Sequence, residues 1–388
     1  MRTTLFQFNP WWEETHFEYK VIPREKYFSK IRKELTSRDI IFLVGLRRVG
    51  KTTLLKQTIN ELIKEKTDPK KILYLSCEHP LFEDKTLIEI VNEYRGYFDI
   101  SRDEKIYLFF DEVQLKSNFE RDLKLLYDME KDVKIFCSGS SSTILKDKKA
   151  YLTGRQKTYE VTPLDFQEYL KFKNEDIKVS EEYKYREKFL SYMKTGGIPE
   201  YVLNNDPEYL LNLIDSIIYK DIVSFYGLKN QKIIRDLFVL LCERVGKPIS
   251  YNKLANILGI STDTVSQYVS YFEETYLIHI VSKYSKTLNE RMRSQKKIYI
   301  CDVGIRNLLV GYKDLGAIFE NLVFLKIKHL EPYYYLENGK EVDFIIKDKE
   351  LAIEAKFKED IKEEDLSNIK NFKIKNKKVV SDYSFFLE

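Results

Sequence analysis

The sequence predicts an α/β fold: a parallel sheet with helices on both faces, followed by a mostly helical stretch and a second, smaller α/β unit. Short apolar runs and amphipathic segments alternate through the first part of the chain, which is how a parallel sheet with crossover helices reads. The pattern turns helical from Pro163. After about Lys297 it becomes a strand, a helix and three short strands. A chain of 388 residues is also too long for one core, so two or three domains are expected.

The apolar runs are Ile40–Val44, Ile72–Ser76, Ile106–Phe110, Val133–Cys137 and Thr158–Val161, and the helix-like stretches between them are Thr52–Glu65, Thr86–Tyr97, Phe119–Asp128 and Ser141–Asp147. Pro163 suits the first position of a helix Leu164–Phe172. Lys171–Lys188 is highly charged and reads as a solvated connector, and Gly196-Gly197-Ile198-Pro199 breaks the helices. Glu208–Ser224 and Gln231–Val245 continue as helices, and Ser250–Ile280 reads as two short helices around Gly259. The expected divisions are a lead segment 1–28, a sheet domain 29–170, a helical lid or connector 171–230, a helix-turn-helix module 231–297 and a terminal α/β domain 298–388.

Composition narrows the classes. A net charge of +4 gives no electrostatic case for nucleic acid by itself, so the distribution of charge matters more. Cys77, Cys137, Cys242 and Cys301 lie far apart with no CxxC pair, which argues against a zinc site or a disulfide scaffold and fits a cytoplasmic setting. No apolar run approaches the ~18 residues that span a bilayer, so no membrane partner is expected. The four histidines, His16, His79, His279 and His329, are dispersed and read as singletons.

Gly45-Leu46-Arg47-Arg48-Val49-Gly50-Lys51-Thr52 matches GxxxxGK[ST] between an apolar strand and an amphipathic helix, with Thr53 continuing it. The glycines let backbone N–H groups turn inward onto phosphates. Lys51 is expected to pair with the β- and γ-phosphates of ATP, and Thr52 to ligate Mg²⁺. A buried strand ends in Asp111-Glu112, which places two carboxylates at the ligand-binding edge of such a sheet. Asp111 is the expected Mg²⁺ ligand and Glu112 the group that orients and deprotonates the attacking water. Ser138, at the end of the next strand, either senses the γ-phosphate or caps the following helix. Arg155 stands just before the fifth strand. In ring ATPases of the AAA+ type an arginine at that point reaches a neighbour's γ-phosphate, and the alternative is an ordinary surface arginine.

Ser250–Ser261 looks like the first helix and turn of a helix-turn-helix, with Leu254, Ile257 and Leu258 as its apolar face. Thr262–Tyr276 would be the recognition helix, with Val265, Val269 and Phe272 inward and Asp263, Ser266, Gln267 and Ser270 outward. Positive charge follows in Lys283, Lys286, Arg291, Arg293, Lys296 and Lys297. A basic wing of this kind grips the DNA phosphate backbone without choosing sequence. The alternative is a lid packed on the ATPase core with its basic loop solvated.

Tyr333–Glu337, Lys340–Ile346 and Leu351–Phe357 read as three antiparallel strands, with Asn338-Gly339 as the first turn. If Asp348-Lys349 makes the second turn, Asp343 faces Glu354, and opposed carboxylates call for a cation between them. Lys356, two residues on, shares the face of Glu354. Asp343 and Glu354 are therefore candidate Mg²⁺ or Mn²⁺ ligands and Lys356 a candidate for positioning water. Glu320, on an amphipathic helix Ala317–His329, is a candidate further ligand.

These pieces resemble the archaeal and bacterial AAA-type ATPases that carry a C-terminal domain of unknown function with a PD-(D/E)XK nuclease-like core. The matching residues are Asn9-Pro10-Trp11-Trp12, Arg47–Thr53, Asp111-Glu112-Val113-Gln114, Ser138–Ser141, Leu152–Arg155, Pro163–Phe166, Gly196–Pro199, Glu341–Phe344 and Glu354–Lys356. The resemblance implies a P-loop ASCE/AAA+ sheet with a helical lid, a winged helix-turn-helix and a restriction-endonuclease-like terminal domain. It departs at Ser76-Cys77-Glu78, where an acidic residue would be expected closer to the strand end. The expected function is an ATP-driven DNA-processing enzyme, and an arginine acting in trans implies a homo-oligomer, with a hexameric ring as its expected form. The alternative is a STAND-like regulatory nucleotide switch whose inactive C-terminal domain docks a protein.

Overall fold

The first four apolar runs become parallel strands, β1 (Ile40–Val44), β2 (Ile72–Ser76), β3 (Ile106–Asp111) and β4 (Val133–Gly139), and the fifth, expected at Thr158–Val161, forms at the more polar Gln156–Glu160 (β5), in the order β2-β3-β4-β1-β5. The computed structural model describes all residues except 15, 131, 141–151, 286 and 359. It divides into two compact units, Met1–Val161 and Thr162–Glu388. The expected helix Ser141–Asp147 lies outside the described residues.

In the first unit β1 and β4 are buried along their whole length. This is why their sequences are continuous apolar runs rather than alternating ones. Phe109 and Phe136 stack on neighbouring strands with ring centroids 4.9 Å apart. Helices Lys51–Lys64, Leu87–Phe98 and Phe119–Met129 supply the crossovers. Because all strands run the same way, their carboxyl ends share one edge, where Val44, Ser76, Asp111 and Gly139 meet the loops.

The Asn9-Pro10-Trp11-Trp12 segment has a defined task in this unit. β2 is an edge strand, and an open edge exposes unpaired backbone groups. The Asn9 carboxamide pairs with both backbone groups of Tyr74, donating to its carbonyl at 3.0 Å and accepting from its N–H at 2.6 Å. The Trp11 and Trp12 indoles both donate to the Ile72 carbonyl, at 3.2 and 2.9 Å. The segment thus closes the edge that a further strand would otherwise cover.

The second unit opens with helices Phe166–Phe172, Lys184–Thr195, Pro199–Asn204 and Pro207–Ser216, the last running into a π-helical stretch Ile217–Ser224, and then Gln231–Cys242. Pro163 does not open the first of these. Asp165 does, since its carboxylate accepts from the Glu168 N–H and the Glu168 side chain reciprocates. The charged connector gives way to helix within its own length, at Lys184. Strands β6 (Pro248–Ile249), β7 (Ile278–Val281) and β8 (Lys296–Ile300) form an antiparallel sheet in the order β6-β8-β7, flanked by helices Tyr251–Leu258 and Thr262–Glu274. β8 runs across the division expected at 297/298. Val265, Val269 and Phe272 are buried as read, but Ile257 is 57% exposed, because the short first helix packs through Leu254 and Ala255.

Helices Val303–Val310 and Leu315–Ile327 lead to β9 (Tyr333–Glu337), β10 (Lys340–Ile346) and β11 (Leu351–Ala355). Helix Glu363–Asn371 then returns the chain to β12 (Asn376–Val380), which pairs parallel to β11. This last strand is half-polar and has no period-2 pattern to announce it. The helix Leu315–Ile327 is apolar on nearly every side rather than amphipathic. Gly197 lets distant segments meet: a Cβ there would lie 2.1 Å from the Leu164 carbonyl oxygen, and its N–H donates to Asp302 at 2.6 Å.

Asn9→Ala should destabilise the chain by about 2–4 kcal/mol, since it strips partners from two backbone groups of Tyr74. Urea denaturation of the variant checks this, and Asn9→Gln should not restore the loss.

Candidate nucleotide site and carboxylate centre

The loop from Gly45 to Thr52 is shaped by backbone that only some residues allow. Gly45 (φ +141°) lies where a Cβ would come within 2.2 Å of the Val161 carbonyl oxygen, and Val161 donates its N–H to Val44 at 2.7 Å. Gly50 (φ +98°) then starts the helix Lys51–Lys64, and with no side chain to cap it the first-turn N–H groups face the loop's concavity. Lys51 is buried and folds back on the loop, donating to the carbonyls of Gly45 at 3.1 Å and Leu46 at 3.0 Å. Its ammonium is 4.0 Å from Glu112 Oε1.

Asp111, at the end of β3, is buried and accepts from three elements. Thr52 Oγ1 and Tyr74 Oη each donate to Oδ2 at 2.8 Å, and Ser138 Oγ donates to Oδ1. Ser138 also accepts from the Glu112 N–H at 2.9 Å, so one hydroxyl bridges both acidic residues. Glu112 sits in the left-handed region (φ 52°), which turns its side chain off the strand line. Gln114 Nε2 holds it, donating to Glu112 Oε2 at 2.5 Å and to Ser140 Oγ at 3.1 Å. Burial, then the neighbouring Asp111 charge, raises the Tyr74 hydroxyl far above the usual phenol range, so it remains a donor.

Thr52, Asp111, Glu112, Ser138 and Lys51 thus converge on one sheet edge. A hydroxyl beside a carboxylate is an all-oxygen donor set, which fits Mg²⁺. Arg155 does not join them. It precedes β5, and its carbonyl accepts from the N–H of Ile40 at the start of β1, so it stands at the opposite end of the strands. The five residues of β1 separate the two ends by about 16 Å at ~3.3 Å each. Its guanidinium lies 3.4 Å from Asp128 and over the Tyr127 ring.

Sequence reasoning missed Arg24, Tyr74 and Gln114. Arg24 is buried and donates from Nη1 to the Val49 carbonyl at 2.7 Å, bracing the phosphate loop from outside. Its only sequence signal is an arginine between a proline and a helix start, which is too common to read. Gln114, two residues past the acidic pair, was within reach of a reading.

In the second unit β10 and β11 pair in the expected register, Phe344 opposite Ile353 and Ile345 opposite Ala352, which sets Asp343 opposite Glu354. Both are buried. Asp343 Oδ2 accepts from the Ala355 N–H at 2.8 Å, Lys356 Nζ lies 2.8 Å from Glu354 Oε1, and Glu354 Oε2 is buried with no hydrogen-bond partner among the described residues. Burial, then the charges of Glu320 and Glu354, pushes Asp343 well above the ordinary carboxylate range. Burial likewise raises Glu354, against the opposing effect of Lys356. An orphaned carboxylate oxygen and a neighbour that resists ionising are what a cation would relieve. Among the described residues, no three His, Cys, Asp or Glu side chains are grouped as a ready cage.

One basic residue is reassigned. Lys297 is fully buried, not part of a solvated wing, because it lies on β8, where it pairs with Glu341 at 2.6 Å and Glu320 at 3.1 Å. Arg291 packs over Tyr333 at 5.1 Å, and Lys296 donates to the Arg291 carbonyl at 2.5 Å. Lys286 lies outside the described residues. Lys283 and Arg293 complete the cationic segment.

A parallel five-stranded sheet with this loop and this acidic pair defines an AAA-type P-loop ATPase domain, and residues 37–170 match the family model described as an AAA domain. Two domains of unknown function follow, DUF8612 over residues 186–316 and DUF4143 over 315–385. The chain is 33% identical over 351 residues to the uncharacterized protein MJ1544 of Methanocaldococcus jannaschii, covering 84% of this chain and 75% of that one. It belongs to the same family. A Haemophilus influenzae protein, also uncharacterized, is 27% identical over 383 residues, covering 93% of each chain. Among solved structures, AMPPCP-bound DnaA from Aquifex aeolicus overlaps 66% of this chain and 90% of its own at 18% identity, with a TM-score of 0.30. PCH-2 from C. elegans overlaps 63% and 66% at 18% identity, with a TM-score of 0.28.

Gly45→Ala should weaken binding of a fluorescent ATP analogue by at least about tenfold. The added methyl collides with backbone, so the loop itself must shift, and unchanged affinity would mean the loop does not carry the phosphates.

Proposed function

We propose that this chain hydrolyses ATP and uses the cycle to act on DNA. The observation that carries the ATPase part is the convergence of Lys51, Thr52, Asp111 and Glu112 at one strand edge. The Gly45–Thr53 backbone, with the side chains of Arg47 and Arg48 at its rim, cradles the triphosphate. Lys51 exchanges its two loop carbonyls for β- and γ-phosphate oxygens. Thr52 and Asp111 hold Mg²⁺, which would offset the phosphate charge. Glu112 orients the attacking water and accepts its proton. Ser138 bridges the Asp111 carboxylate and the Glu112 N–H, and so relays the loss of the γ-phosphate.

Arg155 is too far from its own loop to act there, so a finger role for it requires a neighbouring subunit. That reading carries a homo-oligomer with it, in the form of a closed ring such as a hexamer, in which every site receives a neighbour's arginine.

The DNA part rests on the second unit. The helices Gln231–Cys242, Tyr251–Leu258 and Thr262–Glu274 with the sheet β6-β8-β7 have the order of a winged helix, and the segment between β7 and β8 is its basic wing. That wing grips phosphate through Lys283, Arg293 and their neighbours. The four-stranded sheet with Asp343, Glu354 and Lys356 supports a nuclease-like domain. There Asp343 and Glu354 hold Mg²⁺ or Mn²⁺, and Lys356 positions water and offsets phosphate charge. A regulatory switch of the STAND kind is the second reading. What favours it is a recognition helix with no Arg or Lys between Thr262 and Glu274.

Lys51→Ala should abolish ATP binding, whereas Glu112→Gln should keep binding and lose turnover by at least about a hundredfold. Duplex, single-stranded or branched DNA should stimulate turnover, and binding should weaken steeply with salt. ATPase rates indifferent to every nucleic acid favour the switch reading. Mn²⁺-dependent cutting should vanish in Asp343→Ala and persist in Lys51→Ala, and cutting that survives Asp343→Ala places the nuclease elsewhere.

A further inference from the structure

We infer that Lys297 is a built-in counter-cation that limits the Asp343/Glu354 centre to a single divalent ion. The inference rests on the reading of Asp343 and Glu354 as cation ligands. Around this centre lie the carboxylates of Glu320, Glu341, Asp343 and Glu354 and the ammonium groups of Lys297 and Lys356. Their partners divide them into two sets.

Glu320 is engaged through one carboxylate oxygen. Its Oε1 accepts from Tyr299 Oη at 2.6 Å and from Lys297 Nζ at 3.1 Å, and Glu341 Oε1 takes the same ammonium at 2.6 Å. Lys297 is fully buried, its stem is fixed in β8 between Pro248 and Val281, and its head lies 5.5 Å from the Tyr334 ring centroid. Held this way, the ammonium cannot swing out to solvent. Asp343 and Glu354 form the other set. Lys356 takes one Glu354 oxygen, the Ala355 N–H takes one Asp343 oxygen, and Glu354 Oε2 is buried with no hydrogen-bond partner among the described residues.

The charges lead to the same division. The four carboxylates and two ammonium groups leave a formal charge of −2 when all are ionised, which one divalent cation neutralises. Two-metal centres neutralise a second group of carboxylates with a second ion. Here a lysine, fixed in the chain, supplies the positive charge for that second group, Glu320 and Glu341. Glu320 is therefore a partner of Lys297 and not a ligand, which also accounts for the lack of a three-carboxylate cage among the described residues. Removing Lys297 strips the shared cation from Glu320, 16% exposed, and Glu341, 40% exposed, beside the buried Asp343 and Glu354, a state unfavourable until another cation enters.

The test counts bound Mn²⁺ on the full chain by electron paramagnetic resonance of the free ion. Lys297→Met should bind one more Mn²⁺ per chain than wild type, and Lys297→Arg should match wild type. A Lys297→Met count equal to or below wild type overturns the inference. Should Lys297→Met not fold, Glu320→Gln decides, since its amide can still accept from Tyr299 and Lys297. The wild-type count retained in Glu320→Gln supports the inference, and a loss makes Glu320 a ligand and overturns it. Asp343→Asn tests the underlying reading separately: a count that it does not lower refutes Asp343 as a ligand, while the Lys297→Met comparison still stands on its own difference.

Discussion

The carboxylate of Asp111 accepts hydrogen bonds from Thr52, Tyr74 and Ser138, and so joins the first turn of the phosphate-loop helix to β2 and β4. Since Asp111 itself ends β3, this one buried group sets the relative positions of four neighbouring elements at the carboxyl edge of the sheet. A buried charge must be well partnered to be tolerated, and here two of the partners, Thr52 and Ser138, are also residues of the candidate nucleotide site. Fold stability and site geometry therefore share the same bonds. A shift of any of these strands would misplace the threonine or the serine as well as weaken the sheet.

The state of the loop follows from the same economy. Lys51 fills the loop with its own ammonium, and Gln114 with Ser138 holds Glu112 by its side chain and its backbone. The side chains of Lys51, Thr52, Asp111 and Glu112 already have protein partners, while the first-turn N–H groups of the loop helix face its concavity. In the proposed ATP cycle, binding exchanges the partners of Lys51 without rearranging the fold, which keeps its reorganisation small. Arg155 stands apart from this set because β5 enters the sheet at the opposite end.

The second unit solves a different problem, that of keeping several carboxylates in a dry interior. The antiparallel register of β10 and β11 forces Asp343 and Glu354 together, and side chains from β8 and the helix Leu315–Ile327 surround them. Lys297 couples the sheet that carries the basic segment to the sheet that carries the acids. A residue that looks like surface charge in a run of lysines and arginines is in fact an internal electrostatic strut.

Much of this could be read from the chain itself, because it is local. The strands β1 to β4 announce themselves as apolar runs, the phosphate loop as glycines at fixed spacing between a strand and a helix, and the Asp343–Glu354 pairing as arithmetic across a tight hairpin. Period and turn chemistry act over a few residues, so they survive in a linear reading. Other features exist only once distant segments touch. Asn9 closing the β2 edge, Arg24 bracing Val49, β12 joining β11 after a crossover, and Lys297 turning inward all depend on which backbone groups and charges the folded chain leaves without partners. A sequence states what each residue can offer, and only the tertiary arrangement decides which unmet hydrogen bond or buried charge it answers.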